Sequence, residues 1–120
     1  MTITLQGKRV LLVEDEPIVA MTAEDILCDL GAEVVGPVAY LEQALQLATS
    51  DALDIALLDV NLNGRMSHPV AEALRKRGVP YVVATGYGDI AKESMGLDAP
   101  VVTKPYTREI LAEALAKVAA

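Results

Sequence analysis

Val10-Leu11-Leu12-Val13-Glu14-Asp15-Glu16-Pro17 decides the fold: an apolar run ends at three carboxylates, and the proline that follows suits the first turn of a helix. The same event recurs along the chain. Ile55-Ala56-Leu57-Leu58 ends at Asp59, Tyr81-Val82-Val83-Ala84 at Thr85, and Val101-Val102-Thr103 at Lys104-Pro105. Short, almost wholly apolar runs are expected of strands covered on both faces. In an open parallel sheet, ligands bind outside the carboxyl ends of the strands. The polar residues that close these four runs are therefore expected to gather at one end of the sheet.

Helical patterns lie between the runs. Val19, Ala23, Ile26, Leu27 and Leu30 form a one-sided stripe that closes at Gly31, and Leu41, Ala44, Leu45 and Ala48 form a second without a strong N-cap. Ser67 reads as a cap and Pro69 as a first-turn residue for a third helix, with Val70, Ala73 and Leu74 facing the sheet. Thr107 caps the last helix, whose inward side is predicted to be Ile110, Leu111, Ala114, Leu115 and Val118. Glu33 to Val38 is a short strand interrupted by Gly36-Pro37, which suits a sheet edge, and Asn61 to Gly64 reads as loop. Five strands alternating with helices specify an α/β, doubly wound (βα)5 flavodoxin-like parallel sheet, with strand order 2-1-3-4-5 the arrangement adopted here. The connection from Gly86 is only a little longer than the roughly 10 to 12 residues of a whole crossover. With Gly86, Gly88 and Gly96 in it, residues 86 to 97 are expected to give at most a short or irregular fourth helix.

With strands about 4.8 Å apart, Asp15 and Thr85 fall one strand from Asp59, and Lys104 two strands away at about 10 Å, within reach of a lysine. Carboxylates this close repel by about 4 kcal/mol per pair at 4 Å and an effective dielectric near 20. Lys104 supplies one compensating charge and a divalent cation the rest; magnesium suits, since it binds through one or two carboxylates, waters and phosphate oxygens. A phosphoryl group arriving there meets a cation, an ammonium and the Thr85 hydroxyl, and Asp59 is placed to attack as a carboxylate nucleophile. Each residue alone has a plainer account: a charge at a helix N-terminus for Glu14-Asp15-Glu16, a turn residue for Asp59, a capping hydroxyl for Thr85, a solvated charge for Lys104. Their joint occurrence at four strand ends favours phosphoryl transfer.

With these residues in view, the chain resembles the CheY-like receiver domains of response regulators. The resemblance runs from Lys8-Arg9-Val10 through Asp59, Thr85 and Lys104-Pro105-Tyr106, essentially the whole chain. It implies that Asp59 takes phosphate from the phosphohistidine of a sensor histidine kinase, with catalysis confined to the domain's own phosphorylation and dephosphorylation. It also implies that Asp15, Asp59 and the Asn61 carbonyl bind Mg2+ directly while Glu14 assists through water, and that Thr85 and Lys104 are the switch hydroxyl and the phosphate-binding lysine. Asp59-Val60-Asn61-Leu62-Asn63-Gly64 and Ala84-Thr85-Gly86-Tyr87-Gly88 resemble the FATGUY group of single-domain regulators of alphaproteobacterial signalling, including the general stress response, with Val83 departing from that motif's phenylalanine. Most receivers carry proline at the position of Asn63 and an aromatic switch residue at that of Val101; Tyr87 and Tyr106 are the available substitutes here, with Thr85 and Gly86 the other expected switch residues. The kinase would be of the HWE type in one reading, and the output either a downstream regulator or a phosphate-sink role on a shared kinase.

Composition agrees with this reading. At 120 residues the chain is expected to be one domain, residues 1–120. A net charge of −7 argues against nucleic acid as a partner, and Arg75-Lys76-Arg77, the one basic cluster, suits a helix C-terminus. No apolar run reaches the roughly 18 residues of a membrane span, and a cytoplasmic location without membrane contact is expected. One cysteine, Cys28, and one histidine exclude an intrachain disulfide and a structural zinc set. His68, between Ser67 and Pro69, is expected to be solvent-exposed and no phosphorylation site. A flavodoxin-like cofactor binder would need backbone donors where this chain has Glu14-Asp15-Glu16. An aspartate-nucleophile phosphatase would need a second aspartate where it has Asn61.

Overall fold

A computed structural model describes residues 4–62, 64–86 and 99–119. Its elements run β1 (Arg9–Val13), α1 (Pro17–Asp29), β2 (Glu33–Val38), α2 (Leu41–Ser50), β3 (Ile55–Asp59), β4 (Asn61–Leu62), β5 (Arg65–Met66), α3 (His68–Lys76), β6 (Tyr81–Thr85), β7 (Val101–Thr103) and α4 (Arg108–Ala119). The main sheet has the order β2-β1-β3-β6-β7 and is parallel throughout. With the two-residue strands β4 and β5 set aside, this is the predicted 2-1-3-4-5 arrangement. Residues 86 to 97, where a short fourth helix was expected, lie outside the described residues apart from Gly86.

Alternation along each strand divides the core. Val10 and Leu12 of β1, Ile55 and Leu57 of β3 and Val82 and Ala84 of β6 face α1 and α4; Leu11, Val13, Ala56, Leu58, Tyr81 and Val83 face α2 and α3. β3, like β6, is buried along its whole length, so Asp59 is the last residue of a fully enclosed strand. The edge assignment of Glu33–Val38 holds: at Gly36 (φ +109°) the pairing of β2 with β1 shifts register. A Cβ there would lie 2.8 Å from the Leu12 carbonyl oxygen, which only glycine avoids.

Three local expectations need correction. Asn61 to Gly64 is not plain loop: Asn61 pairs with Met66 and Leu62 with Arg65 in an antiparallel ladder, while Gly64 (φ +86°) donates its N–H to Asn61 Oδ1 at 2.7 Å. Ser67 occupies the N-cap position of α3, but its ψ of 9° is not the extended geometry from which a hydroxyl reaches the first turn. Its Oγ is buried without a partner among the described residues, and the Ser67 N–H donates instead to the Val60 carbonyl at 2.8 Å. Ile110 is 52 % exposed, because it precedes Leu111 by about 100° of helix rotation and Leu111, Ala112, Ala114 and Leu115 set the buried face. Thr107 does cap α4, accepting the Ile110 N–H at 3.2 Å.

Candidate functional site

Glu14 and Asp15 follow β1, Asp59 ends β3, Thr85 ends β6 and Lys104 follows β7, so the register of the sheet brings four strand ends to one edge. Thr85 pairs with Thr103, and the Lys104 N–H donates to the Thr85 carbonyl at 2.8 Å, which aims the lysine back across β6. Its side chain crosses to Asp59, with Nζ 3.3 Å from Oδ2. The same ammonium lies 3.3 Å from Glu14 Oε1 and 3.1 Å from Glu16 Oε1. Glu14 is fixed from below, its N–H donating to the Val38 carbonyl at 3.0 Å while its Oε2 accepts the Glu16 N–H at 3.1 Å. Asp15, Glu16, Asp59, Asn61, Thr85, Gly86 and Lys104 line a cleft of about 520 Å³.

The electrostatics follow from burial. Asp59 is 4 % exposed and lies beside the equally enclosed Glu14, so its charged form is disfavoured both by loss of water and by a like charge. Burial first, then hydrogen bonding with Glu14 and Asp15 and the Glu14 charge, push Asp59 up to about 8, against the pull of Lys104. Burial opposes the charge on Lys104, but Asp59 and Glu14, with hydrogen bonds from Glu16 and Glu14, outweigh it and raise its pKa. Tyr106 is 8 % exposed, and burial together with Glu14 takes its hydroxyl up to about 12. Carboxylate oxygens of Glu14, Asp15, Glu16 and Asp59 all lie within 4.8 Å of one another. An all-oxygen, multiply anionic set of this kind suits a hard divalent cation.

The structure thus places Glu14, Asp15, Asp59, Asn61, Thr85, Gly86 and Lys104 at one site, with Tyr106 buried close enough to feel its charges. Tyr87 lies outside the described residues. His68 is exposed, as is Cys28. Sequence reasoning missed the contact of Glu16 with Lys104. The residue reads naturally as a helix N-terminal charge, and no periodicity signals a side chain that turns away from its helix toward the cleft.

The response regulator receiver domain family model matches residues 10–116. Among solved structures, SdrG from Sphingomonas melonis Fr1 is 43 % identical, with a TM-score of 0.82 and all of both chains covered. The BeF3-activated conformation of SdrG matches at 42 % identity and a TM-score of 0.79, over 98 % of this chain and 100 % of that one. The receiver domain of the sensor histidine kinase PA1611 from Pseudomonas aeruginosa PAO1, solved with a magnesium ion coordinated in its active-site cleft, is 28 % identical, with a TM-score of 0.81 over 94 % of this chain and 98 % of that one. The sensory transduction protein LytR of Staphylococcus haemolyticus is 27 % identical over 114 residues, 92 % of this chain and 44 % of LytR. The chain spans less than half the length of the curated relatives it matches. A parallel sheet in the order β2-β1-β3-β6-β7, an acidic cleft at its carboxyl edge and a family match over residues 10–116 lead to one conclusion: the chain belongs to the response regulator receiver domain family of two-component systems.

Proposed function

We propose that Asp59 is the phosphoacceptor. The observation that carries this is the 3.3 Å contact between Lys104 Nζ and Asp59 Oδ2, in a cleft shared with Asp15 and Thr85. An Asp59 carboxylate oxygen attacks the phosphorus of a kinase phosphohistidine. The P–N bond breaks, its electron pair stays on the imidazole nitrogen, and an aspartyl phosphate forms. Lys104 binds a phosphoryl oxygen, and the Thr85 hydroxyl approaches another. Glu14, Asp15, Asp59 and the Asn61 carbonyl are the residues that would hold Mg2+, a choice supported by the clustered oxygens and by the magnesium seen in the PA1611 receiver domain. Bound there, the ion supplies positive charge to the transferring phosphoryl oxygens. The domain's chemistry is limited to gaining and losing this phosphoryl group.

The finer reading is a receiver domain over residues 1–120 acting as a single-domain regulator, supported by a match that covers all of this chain and all of SdrG; the FATGUY type rests on Asp59 to Gly64 and Ala84 to Gly88, and a cytoplasmic location is proposed with it. Its donor would be a sensor histidine kinase, with the HWE type the first to try. Its output would be protein contact with a downstream regulator or drainage of phosphate from a shared kinase, with no nucleic acid bound by its acidic surface. Thr85, Gly86, Tyr87 and Tyr106 are assigned to the switch. Incubation with a phosphorylated kinase and magnesium should label the wild type and leave Asp59→Asn unlabelled; excess chelator should abolish labelling. Equal labelling of wild type and variant refutes the assignment.

A further inference from the structure

Three carboxylates converge on one ammonium: Lys104 Nζ stands 3.1 Å from Glu16, 3.3 Å from Glu14 and 3.3 Å from Asp59. An ammonium has three donors, so a phosphoryl oxygen that engages Lys104 must displace one of these partners. They are not equally displaceable. The Glu14 side chain is 2 % exposed, and losing Lys104 would leave it as a buried, unpaired charge. Asp59 carries the arriving phosphoryl group itself and stays beside the lysine. Glu16 is 61 % exposed and turns into water with its charge solvated.

Resting on the phosphoacceptor role of Asp59, we infer that Glu16 is a positioning residue that holds Lys104 at the rim of the cleft and competes with small anionic phosphodonors for it, slowing their use. With acetyl phosphate the Asp59 oxygen attacks phosphorus, the P–O bond to the acetyl group breaks, and its electron pair leaves on acetate. Before that step the donor's phosphoryl oxygens must take Lys104 from Glu16, and the Glu16 carboxylate also faces the incoming anion. Both effects act through exposed charge, so both are screened by salt.

The test uses radiolabelled acetyl phosphate, saturating magnesium and the full chain as wild type, Glu16→Gln and Asp59→Asn. At low ionic strength Glu16→Gln should label about three- to fivefold faster than wild type, the size of one exposed ion pair. In about 1 M salt, where the screening length is roughly 3 Å, the two rates should converge. Magnesium is kept saturating for each protein, at concentrations set by calorimetry on that protein. Equal rates at low salt, a slower variant, or an advantage that salt does not erode each overturns the inference. Asp59→Asn separates this from the underlying reading: if it stays unlabelled while wild type and Glu16→Gln react equally fast, only the role of Glu16 fails, whereas a labelled Asp59→Asn removes the phosphoacceptor itself.

Discussion

Replacing Asp59 by asparagine should make the metal-free protein more stable. The Asp59 carboxyl is held up to about 8 by burial and by Glu14 and Asp15, against an ordinary value of 3.8. Between those two values the folded state keeps a proton that the unfolded state releases, so stability falls as pH rises through this window. Above about 8 the group ionises in both states and the full destabilisation is present. At 1.36 kcal/mol per unit the raise has an upper bound of about 6 kcal/mol. That value already includes the pull of Lys104, and relaxation and water entry around an ionised Asp59 reduce the cost further, so the net gain at pH 8.5 should be roughly 2 kcal/mol. Asparagine keeps the shape and one carbonyl, which leaves β3 undisturbed. Urea unfolding in the presence of a chelator, from pH 5 to 8.5, measures the difference. It should widen with pH, and magnesium at ten times its dissociation constant should return about 1.4 kcal/mol to the wild type alone. A variant that is less stable than wild type at pH 8.5 without metal, or a difference that does not change with pH, refutes the reasoning.

Other changes test the frame around the site. At pH 8.5, where Asp59 is ionised, Lys104→Met should destabilise the metal-free protein by about 3 kcal/mol, because Glu14 and Asp59 lose their buried counter-charge; urea midpoints check this, and added magnesium should restore part of the loss. Leu57→Ala, 1 % exposed at the centre of β3, should cost about 3 to 5 kcal/mol by the same measurement. Gly36→Ala, which forces a Cβ to 2.8 Å from the Leu12 carbonyl oxygen and 2.9 Å from the Val38 nitrogen at a φ of +109°, should cost about 2 kcal/mol or more. A variant as stable as wild type would show that the edge of the sheet relaxes.

β1, β3 and β6 were legible because each is buried on both faces and therefore reads as an apolar run, whereas the edge strand β7 was legible from its Val101-Val102 pair before Lys104. Asp59 was legible for the same reason: a carboxylate closing the most apolar strand has no packing role. Side-chain reach was partly legible, since a lysine two strands away can span the interval, and Lys104 does so. What the pattern hid were features decided by a few atoms. Two-residue strands such as β4 and β5 leave no periodicity, and Ile110 sits on the same helix as a buried stripe yet just outside its arc. The Ser67 hydroxyl depends on one ψ angle, and Glu16 on a rotamer that only the position of Lys104 selects.

The topology explains why this site is costly to the fold and useful for that reason. Parallel strands put their last residues at one edge, and loops there need no apolar side chains, so charge can accumulate without disturbing the core beneath. Glu14 and Asp59 are nevertheless 4 % exposed, and Lys104 alone cannot neutralise them together with Asp15 and Glu16. An unbalanced cluster of this kind responds to any group that changes its charge: a proton on Asp59, a bound cation, or a phosphoryl group that claims Lys104. In the phosphoacceptor reading each such event would redistribute Lys104 among the carboxylates, and the Lys104 N–H donates to the carbonyl of Thr85, the strand end that opens the connection toward β7. That contact chain, from Asp59 through the Lys104 side chain to the Lys104 backbone two strands away, is the route by which local charge would act on backbone position. An apolar or fully paired site would be more stable, but it would have nothing to redistribute.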